Sequence, residues 1–314
     1  MSKKLGHDAH TVPAPNTARA ILLMISAGLL FSASGIALKA FAQELPALEA
    51  AFFRNGVGFA LVLLLSFTGI KRVKVGKRKG ILFFRGLFGT LGLICFVWAV
   101  LHMDLGLATA LNQASPIYVA VLAVIFLKER FHWQSYLFIL LAFFGLTLIV
   151  SPDFSSINKE AFVALASGIF AGIAYIFVRV LRSTEAPETV VLWFLGMGTI
   201  IPLAFIFVEP WVMPDLKSFL GLIFVGVSGY LAQLALTNAY RYAPATIVSP
   251  FIYASTLSSL LIGYLFWGER PANMALLGCA IIIVSAIAIS QIKAKPLRKS
   301  VPDHSLKQNV PDAS

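Results

Sequence analysis

A stretch of this chain returns without gaps 140 positions further on: LFFRGLFGTL from Leu82 aligns with LIFVGVSGYL from Leu222. Leu82, Phe84, Gly86, Gly89 and Leu91 recur as Leu222, Phe224, Gly226, Gly229 and Leu231. The same offset carries Ala99 onto Ala239, Ser115 onto Ser255, and Phe126, Glu129 and Arg130 onto Phe266, Glu269 and Arg270. Self-similarity at a fixed period predicts two copies of one structural unit. The copies fill most of the chain, so the fold must be two versions of one half packed together.

What one half contains follows from hydropathy. The 314 residues are 59% hydrophobic and only 12% charged, about half the charge of a soluble chain. A membrane span needs about 20 mainly apolar residues. Breaks at charged and turn-rich segments place such runs near 18–38, 48–70, 81–101, 106–127, 133–150, 160–181, 189–208, 217–238, 244–267 and 272–291. The expected fold is therefore all-α and integral to a membrane, with ten transmembrane helices. Five per half is an odd number, so the second half is inverted relative to the first, an architecture found in many alternating-access transporters. The halves are read as 18–150 and 160–291, flanked by polar tails at 1–17 and 292–314. The tails are rich in Pro, Ser, Asp and Lys and are expected to be disordered.

Basic residues test this topology independently. With the N-terminus cytoplasmic, nineteen of the 25 Lys and Arg residues fall on the cytoplasmic side. Lys39, Lys159, Lys217 and Arg270 fall on the other, and Arg54 and Arg85 lie within spans. This is the positive-inside bias of a multi-pass protein of the inner (plasma) membrane with both termini cytoplasmic. The net charge of +11 is thereby a topology signal. It does not point to nucleic acid, because KRVKVGKRKG from Lys71 has no aromatic interleaving; that loop is expected against anionic headgroups. No secretory cleavage site is expected. Cys95 and Cys279 sit among apolar residues and read as buried small hydrophobes rather than a disulfide or metal site.

Polar groups inside hydrocarbon are costly unless they face protein or water, so they are the candidate functional residues. Arg54, with Asn55, lies one to two turns into the second span; it binds an anionic group, pairs with Glu49 or snorkels to headgroups. Arg85 opens the third span beside Gly86, Gly89 and Gly92; it closes a cytoplasmic gate with Glu185 or Glu188, or anchors at the interface. Asn112, Gln113 and Ser115 precede Pro116, which kinks the fourth span and frees carbonyls near mid-membrane. Amides at a kink suit substrate binding, and interhelical hydrogen bonding is the competing use. Ser249, Pro250, Tyr253, Ser255 and Thr256 form the counterpart in the ninth span. Gln233, Thr237 and Asn238 occupy the eighth. Trp98 and Tyr175 are candidate stacking walls. Glu129 and Glu269 close the fourth and ninth spans and read as structural, held by helix N-termini or basic groups. His102 and Asp104 in the outer turn serve a proton relay or a solvated turn.

These segments resemble the drug/metabolite transporter superfamily in its EamA-type ten-span form. The resemblance covers 18–291. It is carried by FSASGIALK, FFRNGVGF, RGLFGTLG from Arg85, LGLATALNQASPIYVAVLAVIFLKER from Leu105, GIFAGIAYIFVRVL from Gly168 and YAPATIVSPFIYASTLSSLLIGYLFWGER from Tyr242. Arg85-Gly86 and Ala108 to Ala110 are similar to the branch holding S-adenosylmethionine carriers. Asn112, Gln113 and Ala114 depart from that pattern before the proline, and Thr256 stands where the second copy often has another proline. The resemblance implies two inverted five-helix halves around a central cavity lined mainly by spans 1, 3, 4, 6, 8 and 9.

The function expected from all this is secondary transport, outward or inward, of a small polar metabolite or drug-like solute. Uptake of S-adenosylmethionine or another nucleoside-like metabolite is the alternative. Arg54, Asn112, Gln113, Gln233, Asn238 and Tyr253 are the expected substrate contacts, with Arg85, Trp98 and Tyr175 as further cavity or gate residues. No cofactor or metal is expected, and an enzyme is not, since no H-E-x-x-H, Ser/His/Asp set or paired carboxylates share a face. The expected partners are a small-molecule substrate and the bilayer. Proton coupling stays open through His102, and the sequence carries no signature of oligomeric state.

Overall fold

The computed structural model describes residues 16–69, 73–115, 117–119, 121–122, 133–150, 159–205, 211–243 and 248–292. Among them the regular structure is all helical. In chain order the helices are α1 (Thr17–Phe41), α2 (Ala47–Phe67), α3 (Lys79–His102), α4 (Leu105–Asn112), α5 (Trp133–Val150), α6 (Lys159–Leu181), α7 (Pro187–Ala204), α8 (Leu216–Tyr242), α9 (Ala254–Trp267) and α10 (Asn273–Gln291). A 3-10 turn, Ser249–Tyr253, precedes α9. Six of them, α1, α2, α3, α6, α7 and α8, are long and apolar enough to cross a membrane.

Local chemistry sets several ends. Asn16 caps α1 by accepting from the Arg19 amide (2.9 Å), and Asp215 caps α8 through Ser218 (2.8 Å). These side chains take up amides that no turn of the helix can satisfy. Because Asp215 accepts from Ser218, its carboxyl sits below its ordinary range. At the end of α9, Gly268 adopts the left-handed region (φ 64°). The Gly268 amide returns to Tyr264 O and the Glu269 amide to Gly263 O, a Schellman closure that only glycine makes without strain. It folds the Glu269 carboxylate back over Gly263, where any Cβ would collide with it.

Packing between the first five helices and the last five is reciprocal. Helix α1 packs on α8 and α3 packs on α6; α1 packs on α9 and α4 on α6; α2 packs on α8 and α3 on α7. Three further extensive pairings, α2 with α7, α4 with α9 and α5 with α10, join equivalent helices. Each of these contacts has a twin with the halves exchanged, which is what a two-fold relation between two copies produces. Close approaches of a glycine to a carbonyl repeat as well. A Cβ on Gly28 of α1 would meet Ile252 O at 3.0 Å, and one on Gly168 of α6 would meet Asn112 O at 3.3 Å. Gly28 and Gly168, and Asn112 and Ile252, are each 140 positions apart.

Those glycines press on two interrupted helices. The α4 ladder tightens after Asn112: Ala114 bonds back to Leu111 O (3.4 Å) and Ile117 to Ala114 O (2.9 Å), both three residues away as in a 3-10 helix. In the other half the 3-10 turn at Ser249–Tyr253 interrupts the run. The fourth and ninth runs are thus broken where the sequence places a proline. Pro116, Glu129 and Arg130 lie outside the described residues.

Candidate functional site

A cavity lies where the halves meet. Its polar lining comes from α2 (Arg54), α3 (Arg85), α4 (Thr109, Asn112) and its C-cap Gln113, α6 (Tyr175) and α8 (Gln233). Phe31, Phe96 and Phe194 complete the wall, and glycines and small apolar side chains fill the rest. Helices α2 and α7 therefore contribute where the family resemblance implies neither, and α9 contributes none of the lining. The space is tight, about 50 Å³, room for a few water molecules.

Both arginines are inside the bundle, Arg54 at 6% exposure and Arg85 at 1%, so neither snorkels to lipid headgroups. Arg85 donates from Nη2 to Gln233 Oε1 (3.1 Å) and lies over the Phe194 ring, 4.7 Å from its centroid. Its Nε has no partner among the described residues. Arg54 stands over Phe96 at 5.9 Å. It makes no hydrogen bond or ion pair with any described residue, and Glu49 instead accepts from the Val212 amide (2.9 Å). Room for each guanidinium comes from a glycine. A Cβ on Gly89 would collide with Arg85, and one on Gly229 would sit 3.2 Å from Arg54 Nε. These two glycines are equivalent in the repeat. Tyr175 is buried within electrostatic reach of both arginines.

The amides at the α4 break reach across to the second half. Asn112 Nδ2 donates to Ser167 Oγ (3.0 Å), and Ser167 donates on to Ala164 O (2.6 Å). Gln113 Nε2 donates to Ser255 Oγ (3.0 Å), which donates to Ile252 O (2.8 Å). Gln113 Oε1 and Ser115 Oγ are buried without a partner among the described residues. The interhelical bonding weighed from sequence is present, and each amide also faces the cavity.

Three expected residues lie elsewhere. Asn238 bonds back to Leu234 O of its own helix (2.8 Å). Tyr253 is buried outside the cavity lining, with its hydroxyl unpartnered among the described residues. Trp98 stacks on His102 at 4.2 Å and lines a separate cleft with Gln43, Leu45, Pro46, Ala47 and Leu101. Phe194 was not singled out from the sequence. Its signal is the repeat itself, since Phe194 stands 140 positions after Arg54.

Contacts between halves also tie the two ends of the cavity. At one end Glu269 pairs with Lys39 of α1 and accepts from the Leu105 amide at the start of α4 (3.0 and 3.1 Å to its two oxygens). Lys39 also donates to Met103 O (2.9 Å). This is the structural role expected for a glutamate ending a span. Burial, and then the nearby Glu269 charge, push the Asp104 carboxyl above its ordinary range, with Lys39 opposing them. At the other end Glu185 accepts from the Lys77 and Arg78 amides (2.8 and 2.7 Å). Glu185 therefore caps the entry to α3, and the gate pairing with Arg85 is replaced by the Arg85–Gln233 bond.

Residues 18–151 and 158–291 each match the EamA-like transporter family. Among curated proteins the chain is 32% identical over 277 residues to the pseudopaline exporter CntI of Pseudomonas aeruginosa, covering 87% of this chain and 96% of that one. It is 28% identical over 284 residues to a riboflavin transporter of Vibrio cholerae (88% and 95% covered). It is 25% identical over 279 residues to an S-adenosylmethionine uptake transporter of Rickettsia bellii (86% and 92% covered). A solved crystal structure superposes with a TM-score of 0.66 over 90% of this chain and 100% of that chain at 18% identity, sharing its fold.

Proposed function

The chain belongs to the EamA-like transporter family and is a multi-pass membrane protein; on that premise we propose that it is a secondary carrier, not an enzyme, moving a small polar metabolite across the inner membrane by alternating access. In this reading ten spans form two inverted five-helix halves, 18–150 and 160–291, with both termini cytoplasmic. The halves rock about the cavity between them. The observation that carries the reading is the cavity's position: its polar groups come from both halves, at the break in α4. Rigid-body movement of one half against the other would open and close such a site without unfolding either half.

Arg54, Asn112, Gln113 and Gln233 are the substrate contacts in this proposal, with Arg85 and Tyr175 in the same cavity. The two ends, tied by Glu269 and by Glu185, are the gates. The described conformation leaves room for only a few waters, and loading requires one tie to open. Pseudopaline, riboflavin and S-adenosylmethionine, named for relatives, belong in the first substrate panel.

The test is counterflow in proteoliposomes. Vesicles loaded with each candidate are diluted into trace labelled solute, and uptake above protein-free vesicles marks a carried substrate. Asn112→Ala is expected to weaken apparent affinity about tenfold, since the amide loses its place at the cavity wall. Unchanged affinity and rate in that variant would remove Asn112 from the site. Absence of counterflow for every panel member, in protein that binds one of them, would sink the carrier reading.

A further inference from the structure

The described residues that line the cavity include two buried cations and no anion. Among the described residues that line it there is no Asp or Glu, yet Arg54 and Arg85 are both buried. Arg85 spends one nitrogen on the neutral amide of Gln233 and leaves Nε unpartnered among the described residues. Arg54 makes no hydrogen bond or ion pair with a described residue; the Phe96 ring lies 5.9 Å away and the neutral Tyr175 side chain is within electrostatic reach. Burying a guanidinium without a counter-charge is unfavourable, and burying two in one small space adds their mutual repulsion. The aromatic faces of Phe96 and Phe194 and the Gln233 amide offset part of this, but none of them carries charge.

Retaining two such groups makes physical sense when an anion completes them. We infer that the cavity is built for a small organic acid carrying two carboxylates, one met by Arg54 and one by Arg85. The guanidinium forks are the donors best matched to carboxylate oxygens. In the described conformation Gln233 occupies the Arg85 donor that a carboxylate would take, so binding exchanges an amide acceptor for an anionic one. Asn112 and Gln113 supply neutral acceptors and donors for the middle of the molecule. The inference rests on the carrier reading for its cargo, and it names the cargo's chemical class. A substrate of net positive charge is disfavoured at this site by both arginines.

The experiment uses the full chain in detergent and three matched probe series: succinate, glutarate and adipate, each beside its monomethyl ester and its diamide. Size and shape stay nearly constant within a series while charge falls from two to one to none. Binding is read from ligand-dependent thermal stabilisation. In at least one series each carboxylate is expected to tighten binding about tenfold. Arg54→Gln and Arg85→Gln are each expected to erase one of the two steps, and Arg54→Lys and Arg85→Lys to restore part of it. If no diacid binds more tightly than its own diamide, the wild-type chain alone overturns the proposal, whether or not the variants fold. If the ladder persists undiminished in both Gln variants, the arginines are not its origin and the proposal also fails. Counterflow separates this from the carrier reading. A diacid that binds with the expected ladder but is never carried keeps the anion site and ends the carrier reading. Carried solutes with no charge ladder do the reverse.

Discussion

Removing the Glu269 carboxylate tests whether the halves are latched where the structure shows them tied. In Glu269→Ala, Lys39 loses its counter-charge and the Leu105 amide at the start of α4 loses its acceptor. The Lys39 and Glu269 side chains are 12% and 8% exposed, closer to a buried pair than to a surface one. Breaking a buried pair from one side costs about 3–5 kcal/mol, and an exposed pair about 0–1 kcal/mol. Lys39 keeps its bond to Met103 O, so about 2–3 kcal/mol is the expected loss, within the range spanned by those two limits. Read as thermal unfolding, this corresponds to a drop of roughly 3–5 °C for a chain of this size. If the latch opens instead of the protein unfolding, the same energy shifts the closed-to-open ratio on that side by about 30- to 150-fold. The assay is a double-mutant cycle of Glu269→Ala, Lys39→Met and the pair, followed by melting in detergent. The double variant is expected to be more stable than the sum of the single losses by about 1–2 kcal/mol, because it leaves no orphan charge. Glu269→Gln should keep the Leu105 acceptor and lose only the ion-pair part. Additive single losses, or a Glu269→Ala melt within 1 °C of the parent, about the resolution of such a shift, would refute the latch.

Two further perturbations follow from the same geometry. Gly89→Ala places a methyl against the Arg85 guanidinium and 2.8 Å from the Phe194 ring; the arginine can yield but the buried ring must shift, so stability should fall by about 1–3 kcal/mol while substrate affinity in counterflow falls about tenfold, and unchanged affinity would place Arg85 away from the substrate. Asp104 is an acid whose folded-state proton affinity is raised, so the folded form holds its proton more tightly than the unfolded form. Its contribution to stability is best at low pH and is lost as pH rises from the ordinary aspartate range through the raised value. Asp104→Asn should therefore match the parent at acidic pH and melt at or above it at pH 7, and a variant less stable at pH 7 would reverse the sign.

Most of the scaffold is legible in the sequence because hydrocarbon imposes a length on each span. The six long helices fall where apolar runs of that length were read, within a few residues at their ends. The interruption after Asn112 is legible because a proline cannot complete the ladder. Site membership is less legible, because it depends on helical phase and depth. Asn238 is five residues beyond Gln233, which turns it about 140° away on the same helix, and it bonds to its own backbone. Trp98 lies thirteen residues beyond Arg85, about 20 Å further along α3, so it reaches the end of the helix and His102. Tyr253 sits in the 3-10 turn, whose packing is against α1, α9 and α10. Phe194 resembles any aromatic in an apolar run until the repeat pairs it with Arg54.

That pairing explains how a symmetric scaffold carries an asymmetric site. Residues that shape the scaffold are kept in both copies: Gly28 and Gly168, Gly89 and Gly229. Residues that face the cavity are not. At the offset of 140, Arg54 becomes Phe194, Arg85 becomes Val225, Asn112 becomes Ile252, Gln113 becomes Tyr253, and Gln233 corresponds to Leu93. Both cations belong to the first half, and the acceptor for one of them, Gln233, belongs to the second. Matched halves would give two exchange-related conformations of similar packing energy, which the proposed rocking requires. The residues that line the cavity break the repeat that the scaffold keeps: Arg54, Arg85 and Gln233 have no like residue at the offset of 140. The glycines follow the scaffold rule even inside the site. Gly89 and Gly229 each leave room for an arginine, although both arginines come from the first half. The space is inherited from the repeat, and the charge placed in it is what distinguishes this chain's site from its scaffold.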